Sequence, residues 1–139
     1  CAAHKTINGK EKFFLYFCNG GNGVSVLTAD SPTGPWTDPL GKALITRATP
    51  NCSDITWLFD PAVMVDDNGT GYLCFGGGVP DGKDAMPGTS RIVKLGDDMI
   101  SLAGLKPLIC LKIPASTRLE IRIIIPTVPT GTPLGMPME

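Results

Sequence analysis

With 139 residues and a formal net charge of −1, the chain has the size of one domain and lacks both the basic field that nucleic acid requires and an acidic tail. Seventeen glycines and 13 prolines among 42% hydrophobic residues favour many short strands and turns over long helices. No apolar run approaches the roughly 20 residues of a membrane span, and the five cysteines contain no C-x-x-C pair that would suggest a metal cluster.

The chain opens at Cys1-Ala2-Ala3 with neither an initiator Met nor a signal-peptide pattern, and is expected to be an internal piece of a longer protein. His4 has no second ligand nearby and reads as a surface or strand-edge residue. Residues 12–18 (KFFLYFC) read as a buried strand, 19–23 (NGGNG) as a turn, and 24–29 (VSVLTA), which alternates with period two, as the second strand of a hairpin. Residues 30–39 (DSPTGPWTDP) are dense in turn formers and exclude a helix. Residues 43–46 (ALIT) suit a short strand. Residues 62–78 (AVMVDDNGTGYLCFGGG) predict a hairpin turning at Asp-Asp-Asn-Gly, and 90–99 (SRIVKLGDDM) a strand followed by a turn.

Both glycine clusters read as turns. GGNGV precedes a strand rather than a helix, so it offers no helix N-terminus to a phosphate. Position twelve counted from Asp66 is Gly77 rather than Glu, so DDNG is a hairpin turn and not a calcium loop. Cys18 and Cys74 close similar apolar runs and read as small apolar strand residues. Residues 11–21 (EKFFLYFCNGG) and 69–78 (GTGYLCFGGG) form a weak internal repeat, with Leu15 and Leu73 58 residues apart. That period exceeds one hairpin and suits a four-stranded blade of a β-propeller plus loops. Two copies do not close a ring, and an incomplete one leaves open strand edges.

Asp60 stands out. It sits between Phe59 and Pro61 in an apolar run, where a buried, unpaired carboxylate is costly. Three stretches, HKTINGKEKFFLYFCNGGNGVSVLTADSPTGPWTDPLGKALIT, WLFDPAVMVDDNGTGYLCFGGGVP and RIVKLGDDMISLAG, together resemble glycoside hydrolase family 43 in motif order, over about residues 4 to 104. The nearest branch is that of arabinoxylan arabinofuranohydrolases and related α-L-arabinofuranosidases and β-xylosidases. The resemblance implies an all-β fold, here a partial five-bladed β-propeller of about two blades. It also implies an inverting glycosidase acting on arabinoxylan-type polysaccharide, in a secreted or cell-surface bacterial setting. Within WLFDPAV it makes Asp60 the carboxylate that tunes the pKa and orientation of a general acid, and makes Trp57 and Phe59 residues that line or underlie the sugar site. Some relatives hold calcium at the propeller centre, but nothing in this chain supplies a full ligand set.

The other two catalytic acids are expected elsewhere: a general base in the first blade, upstream of Cys1, and a general acid Glu in a motif like APYLFEDSG soon after MISLAG. Residues 106–139 contain six prolines and no aromatic, Asp or Asn, unlike the rest of the chain. They read as a non-native, frame-shifted tail. Combining each codon's free third base with the next two bases lets 106–121 spell APYLFEDSGINKIGN and 123–131 spell YYSYCSNW, uninterrupted from Lys106 to Gly131. The Glu codon would straddle Leu111 and Lys112. The expected organisation is therefore a partial propeller over 1–105 and a poorly ordered tail over 106–139. This chain alone would carry neither general acid nor general base. The alternative is a non-catalytic carbohydrate-binding β module, with Trp36, Trp57, Tyr72 and Phe75 as stacking surface.

Overall fold

A computed structural model describes residues 1–83 and 89–104. Apolar runs punctuated by Gly, Asn and Asp build two antiparallel sheets. The first has the order β1(Ala2–Ile7), β2(Lys10–Cys18), β3(Gly23–Ala29), β4(Ile45–Thr46). The second has the order β5(Ala62–Val65), β6(Gly71–Gly76), β7(Ser90–Lys94). The fold is all-β among the described residues, and the strands read from residues 12–18, 24–29, 62–78 and 90–94 are all present. The strand expected over 43–46 is shorter, covering only the two residues of β4. β1 has no counterpart in the sequence reading. Its His4, Lys5 and Thr6 break the apolar pattern, and it forms by pairing with β2 from Ala2↔Leu15 to Ile7↔Lys10. His4 lies on this edge strand and meets Glu11 at 2.8 Å.

One core fills the space between the sheets. Phe14, Tyr16, Val24, Val26 and Ile45 come from the first sheet, and Leu73, Phe75 and Val93 from the second. Cys52, Ile55, Leu58, Leu95 and Met99 close it from the connecting segments. The Tyr16 hydroxyl donates to the Met99 carbonyl at 2.7 Å across this core. Burial raises the Tyr16 pKa, and the charge of Asp98 adds to the rise. It also pushes the Cys52 thiol up to about 11 and raises that of Cys74. Neither is a ready thiolate at neutral pH. Cys74 is a half-buried strand residue as expected, whereas Cys18, the last residue of β2, is exposed.

The sheets have two distinct ends. At one lie the β2–β3 turn and the Gly76–Gly78 run that follows β6. At the other lie the Asn8-Gly9 turn, the Asp66–Gly69 turn and the Asp97–Met99 turn. The Asp66 carboxylate shapes its own turn by accepting from the Asn68 and Thr70 amides at 3.0 and 2.8 Å, as a hairpin turn requires. The sequence readings for the tail from Lys106 onward fall outside the described residues.

Candidate functional site

The segment Trp57-Leu58-Phe59 is an extended strap stitched to both sheets. The Trp57 amide donates to the Gly77 carbonyl at 3.1 Å, and the Gly76 amide donates to the Phe59 carbonyl at 3.0 Å. On the other side the Leu58 amide donates to the Gly21 carbonyl at 2.8 Å, and Leu58 forms a parallel bridge with Asn22. Side chains alternate along an extended chain. Leu58 therefore drops into the core, fully buried, while Trp57 and Phe59 point the other way. Two arginines hold the loop that leads into the strap. Arg47 donates to the Ile55 and Thr56 carbonyls at 2.6 and 2.9 Å. Arg91, buried on β7, donates to the Asn51 carbonyl at 2.6 Å and to Asp54 at 3.1 Å.

Asp60 ends the strap. It is exposed, so its position in an apolar run carries no burial cost. Its φ is +48°, in the left-handed region that few non-glycine residues occupy. Its carboxylate makes no hydrogen bond or ion pair among the described residues. Asn8, Asn51 and Met99 also have positive φ, and Asp reaches this region more readily than most residue types.

Trp57 is 47% exposed, the most exposed aromatic side chain of the site, and its indole N–H has no partner among the described residues. Glycines confine the ring at both of its edges. A Cβ on Gly21 would stand 2.6 Å from Cε3, and one on Gly78 would overlap Cδ1. Both glycines have positive φ, +73° and +84°. The sequence reading found the turns here and missed this second role. The available signal was that both clusters end equivalent strands of the repeat. Phe59 is half-buried, with its ring against Gly77. Trp57 is thus a solvent-facing ring on the strap that ends at the free carboxylate of Asp60, and Phe59 packs against Gly77.

The four aromatics expected to form one stacking surface do not converge. Phe75 is buried in the core at 2% exposure. Trp36 adjoins Thr37, which pairs with Thr28 near the far end of β3. Tyr72 lies on the outer face of the second sheet, away from Leu73 and Phe75. Strand alternation and the long β3–β4 connection separate them, leaving Trp57 as the one of the four on the strap that ends at Asp60.

The fold of the described residues is similar to that of solved family 43 glycoside hydrolases. A Bacillus subtilis family 43 arabinoxylan arabinofuranohydrolase, solved with cellotetraose, superposes with a TM-score of 0.74 at 55% identity, over 81% of this chain and 24% of that one. An α-L-arabinofuranosidase from Clostridium thermocellum superposes with a TM-score of 0.65 at 41% identity, over 81% of this chain and 34% of that one. The family model described as glycosyl hydrolases family 43 matches residues 3–117, and the chain belongs to that family. The match runs past residue 104, where the resemblance read from motifs stops. Arabinoxylan arabinofuranohydrolases are similar in sequence: that of Paenibacillus polymyxa is 64% identical over 106 residues, and that of Bacillus subtilis (strain 168) is 62% identical over 108. Each alignment covers 73% of this chain but only 17% and 21% of those proteins, so the chain spans about a fifth of their length.

Proposed function

We propose that this chain is part of an inverting glycosidase that releases arabinofuranose or xylose from arabinoxylan-type polysaccharide. In this reading its two sheets are two blades of a five-bladed propeller. Asp60 is the carboxylate that tunes and orients the general acid, and Trp57 and Phe59 form part of the sugar site. The observation that carries the reading is the free, exposed carboxylate of Asp60, on left-handed backbone at the end of the strap that exposes Trp57. Inversion needs one protonated carboxyl and one ionised carboxylate on opposite sides of the scissile bond, with a water between. A further anion close to the acid raises the acid's pKa by like-charge repulsion and keeps it protonated. An Asp already engaged by an Arg or by turn amides would do this poorly, whereas Asp60 has no such competitor.

No residue of this chain serves as the general acid or general base in this reading. Each positioned group contributes on the order of 10² to 10⁴-fold. The 139-residue chain is therefore expected to show no turnover of aryl α-L-arabinofuranoside or xyloside. Clear turnover abolished by Asp60→Asn would sink the proposal. The frame shift is tested separately, by sequencing the coding DNA from the codon of Gly104 to that of Lys112 and on to the next stop. An inserted or deleted base is expected there, and an intact frame whose codons cannot spell the acid motif rejects it.

A carbohydrate-binding module is the second reading, favoured by the exposed Trp57 ring and its free N–H. Calorimetric titration with an arabinoxylo-oligosaccharide separates the two. Binding that is lost in Trp57→Ala, in a chain where no longer form shows Asp60-dependent hydrolysis, moves the assignment to that module.

A further inference from the structure

Glycines at positive φ do two kinds of work in this chain. Gly9, Gly20, Gly41 and Gly82 meet nothing within 4 Å of where a Cβ would stand, so their turns alone explain them. Gly21 and Gly78 are different. One lies in the β2–β3 turn of the first sheet and the other just beyond β6 of the second, and the atoms nearest to both belong to the Trp57 indole. A Cβ on Gly21 would stand 2.6 Å from Cε3 and 3.2 Å from Cζ3. One on Gly78 would overlap Cδ1 and stand 3.1 Å from Cγ and 3.2 Å from Nε1.

Cε3 and Cδ1 lie on opposite sides of the bond that joins the ring to its backbone. The two glycines therefore bracket the axis about which the ring would turn. The same two segments fix the backbone beneath it, through the Leu58 amide to Gly21 at 2.8 Å and the Trp57 amide to Gly77 at 3.1 Å. Ring and backbone are thus set by contacts within the chain, while the ring stays 47% exposed. A side chain that must be ordered when a ligand arrives costs that ligand affinity, and one already in place does not. An indole offers a sugar a flat apolar surface and one N–H donor at its edge. The surface serves only if the ring is held at a fixed angle, and the donor only if its approach is clear. A side chain on Gly78 would crowd that donor as well as the ring.

We infer that Gly21 and Gly78 are positioning residues of the sugar site: they preset the Trp57 indole for sugar, and Gly78 also keeps its N–H approachable. This rests on the reading of Trp57 as part of that site.

The test uses the 139-residue chain carrying Trp36→Phe, so that Trp57 is its one indole. Time-resolved fluorescence anisotropy is expected to show Trp57 moving only with the chain as a whole. Fast local rotation of the indole in the absence of sugar overturns the inference, and this arm needs no glycine variant to fold. Titration with an arabinoxylo-oligosaccharide then compares Gly21→Ala, Gly78→Ala and Gly82→Ala. Affinity is expected to fall about two- to tenfold in the first two, the worth of one side chain that must be ordered on binding. It is expected to stay unchanged in Gly82→Ala, which carries the left-handed penalty in open space. A purely structural role would lower stability but leave the affinity of the folded chain intact, so Gly21→Ala and Gly78→Ala chains that bind like their parent overturn the inference. A double-mutant cycle in urea unfolding, followed by far-ultraviolet circular dichroism, checks the clasp without sugar. The cost of Gly78→Ala in excess of Gly82→Ala is expected to vanish in combination with Trp57→Ala, and an excess that persists overturns the clasp while leaving the reading of Trp57 standing. Sugar affinity that survives Trp57→Ala, or a parent chain with no measurable affinity, rejects the sugar-site reading itself and the inference with it.

Discussion

Asp66, at one end of β5, accepts from two backbone amides of its own turn; Asp60, at the other end, accepts from nothing described. The contrast extends to the two ends of the molecule. Away from the strap, Asp98 accepts from the amides of Ile100 and Ser101 and from the Ser101 hydroxyl. Asp30 pairs with Lys12, whose hydrogen bond and charge hold its carboxyl below the usual range. These acids serve the fold. Asp67 and Asp81 are also unengaged, but they sit in exposed turns on ordinary backbone. What sets Asp60 apart is a free carboxylate and left-handed backbone together, at the end of a strap whose other residues are hydrogen-bonded on both sides. That combination is what the role proposed for Asp60 rests on.

The contrast predicts which changes cost stability. Leu58→Ala removes the core anchor of the strap and is expected to cost about 2–5 kcal/mol in urea unfolding, as large-to-small substitutions in a packed core do. A cost below about 1 kcal/mol would mean that the backbone bonds to Gly21, Gly76 and Gly77 hold the strap unaided. Gly78→Ala comes next, at about 2 kcal/mol. It combines a left-handed penalty of roughly 1–2 kcal/mol with displacement of the Trp57 ring. Gly82→Ala shares the positive φ but meets open space, so the difference between the two isolates the indole contact. Trp57 fluorescence should move in the first variant and not in the second.

Tyr16→Phe removes the buried bond to Met99 and is expected to cost about 1 kcal/mol. It also changes the alkaline limb. The folded-state pKa of Tyr16 is raised above its ordinary 10.0, so the neutral hydroxyl stabilises the fold fully below that value. The contribution is lost as pH rises above it, because the unfolded chain releases the proton first. Wild-type stability should therefore fall more steeply above pH 10 than that of Tyr16→Phe, as urea midpoints will measure.

The smallest effect is the sharpest test of the comparison. Asp66→Ala should cost about 1 kcal/mol, the typical value of a local side-chain cap on backbone amides. Asp60→Gly should instead stabilise by about 0.5 kcal/mol, since relief of the left-handed backbone outweighs the added chain entropy. If both substitutions destabilise equally, Asp60 is a structural residue like Asp66.

Much of this was legible in the chain itself. The strands at β2, β3, β5, β6 and β7 follow from apolar runs bounded by Asn, Gly and Asp, because alternation and turn chemistry are local. The WLFDPAV motif singled out Asp60, Trp57 and Phe59, and all three adjoin in the strap. β1 escaped because its own residues are mixed and its existence depends on pairing with β2. The stacking role assigned to Phe75 failed because alternation says that Leu73 and Phe75 share a face but not which face meets the core.

The sequence by itself determined the family and the strand-and-turn order, since these rest on neighbouring residues, and it singled out Asp60 as the candidate carboxylate. Only the tertiary structure decided that Asp60 is exposed, and that Gly21 and Gly78 meet on one indole. Those outcomes depend on contacts between residues far apart in the chain, where side-chain volume and the remaining space, rather than local pattern, select the arrangement.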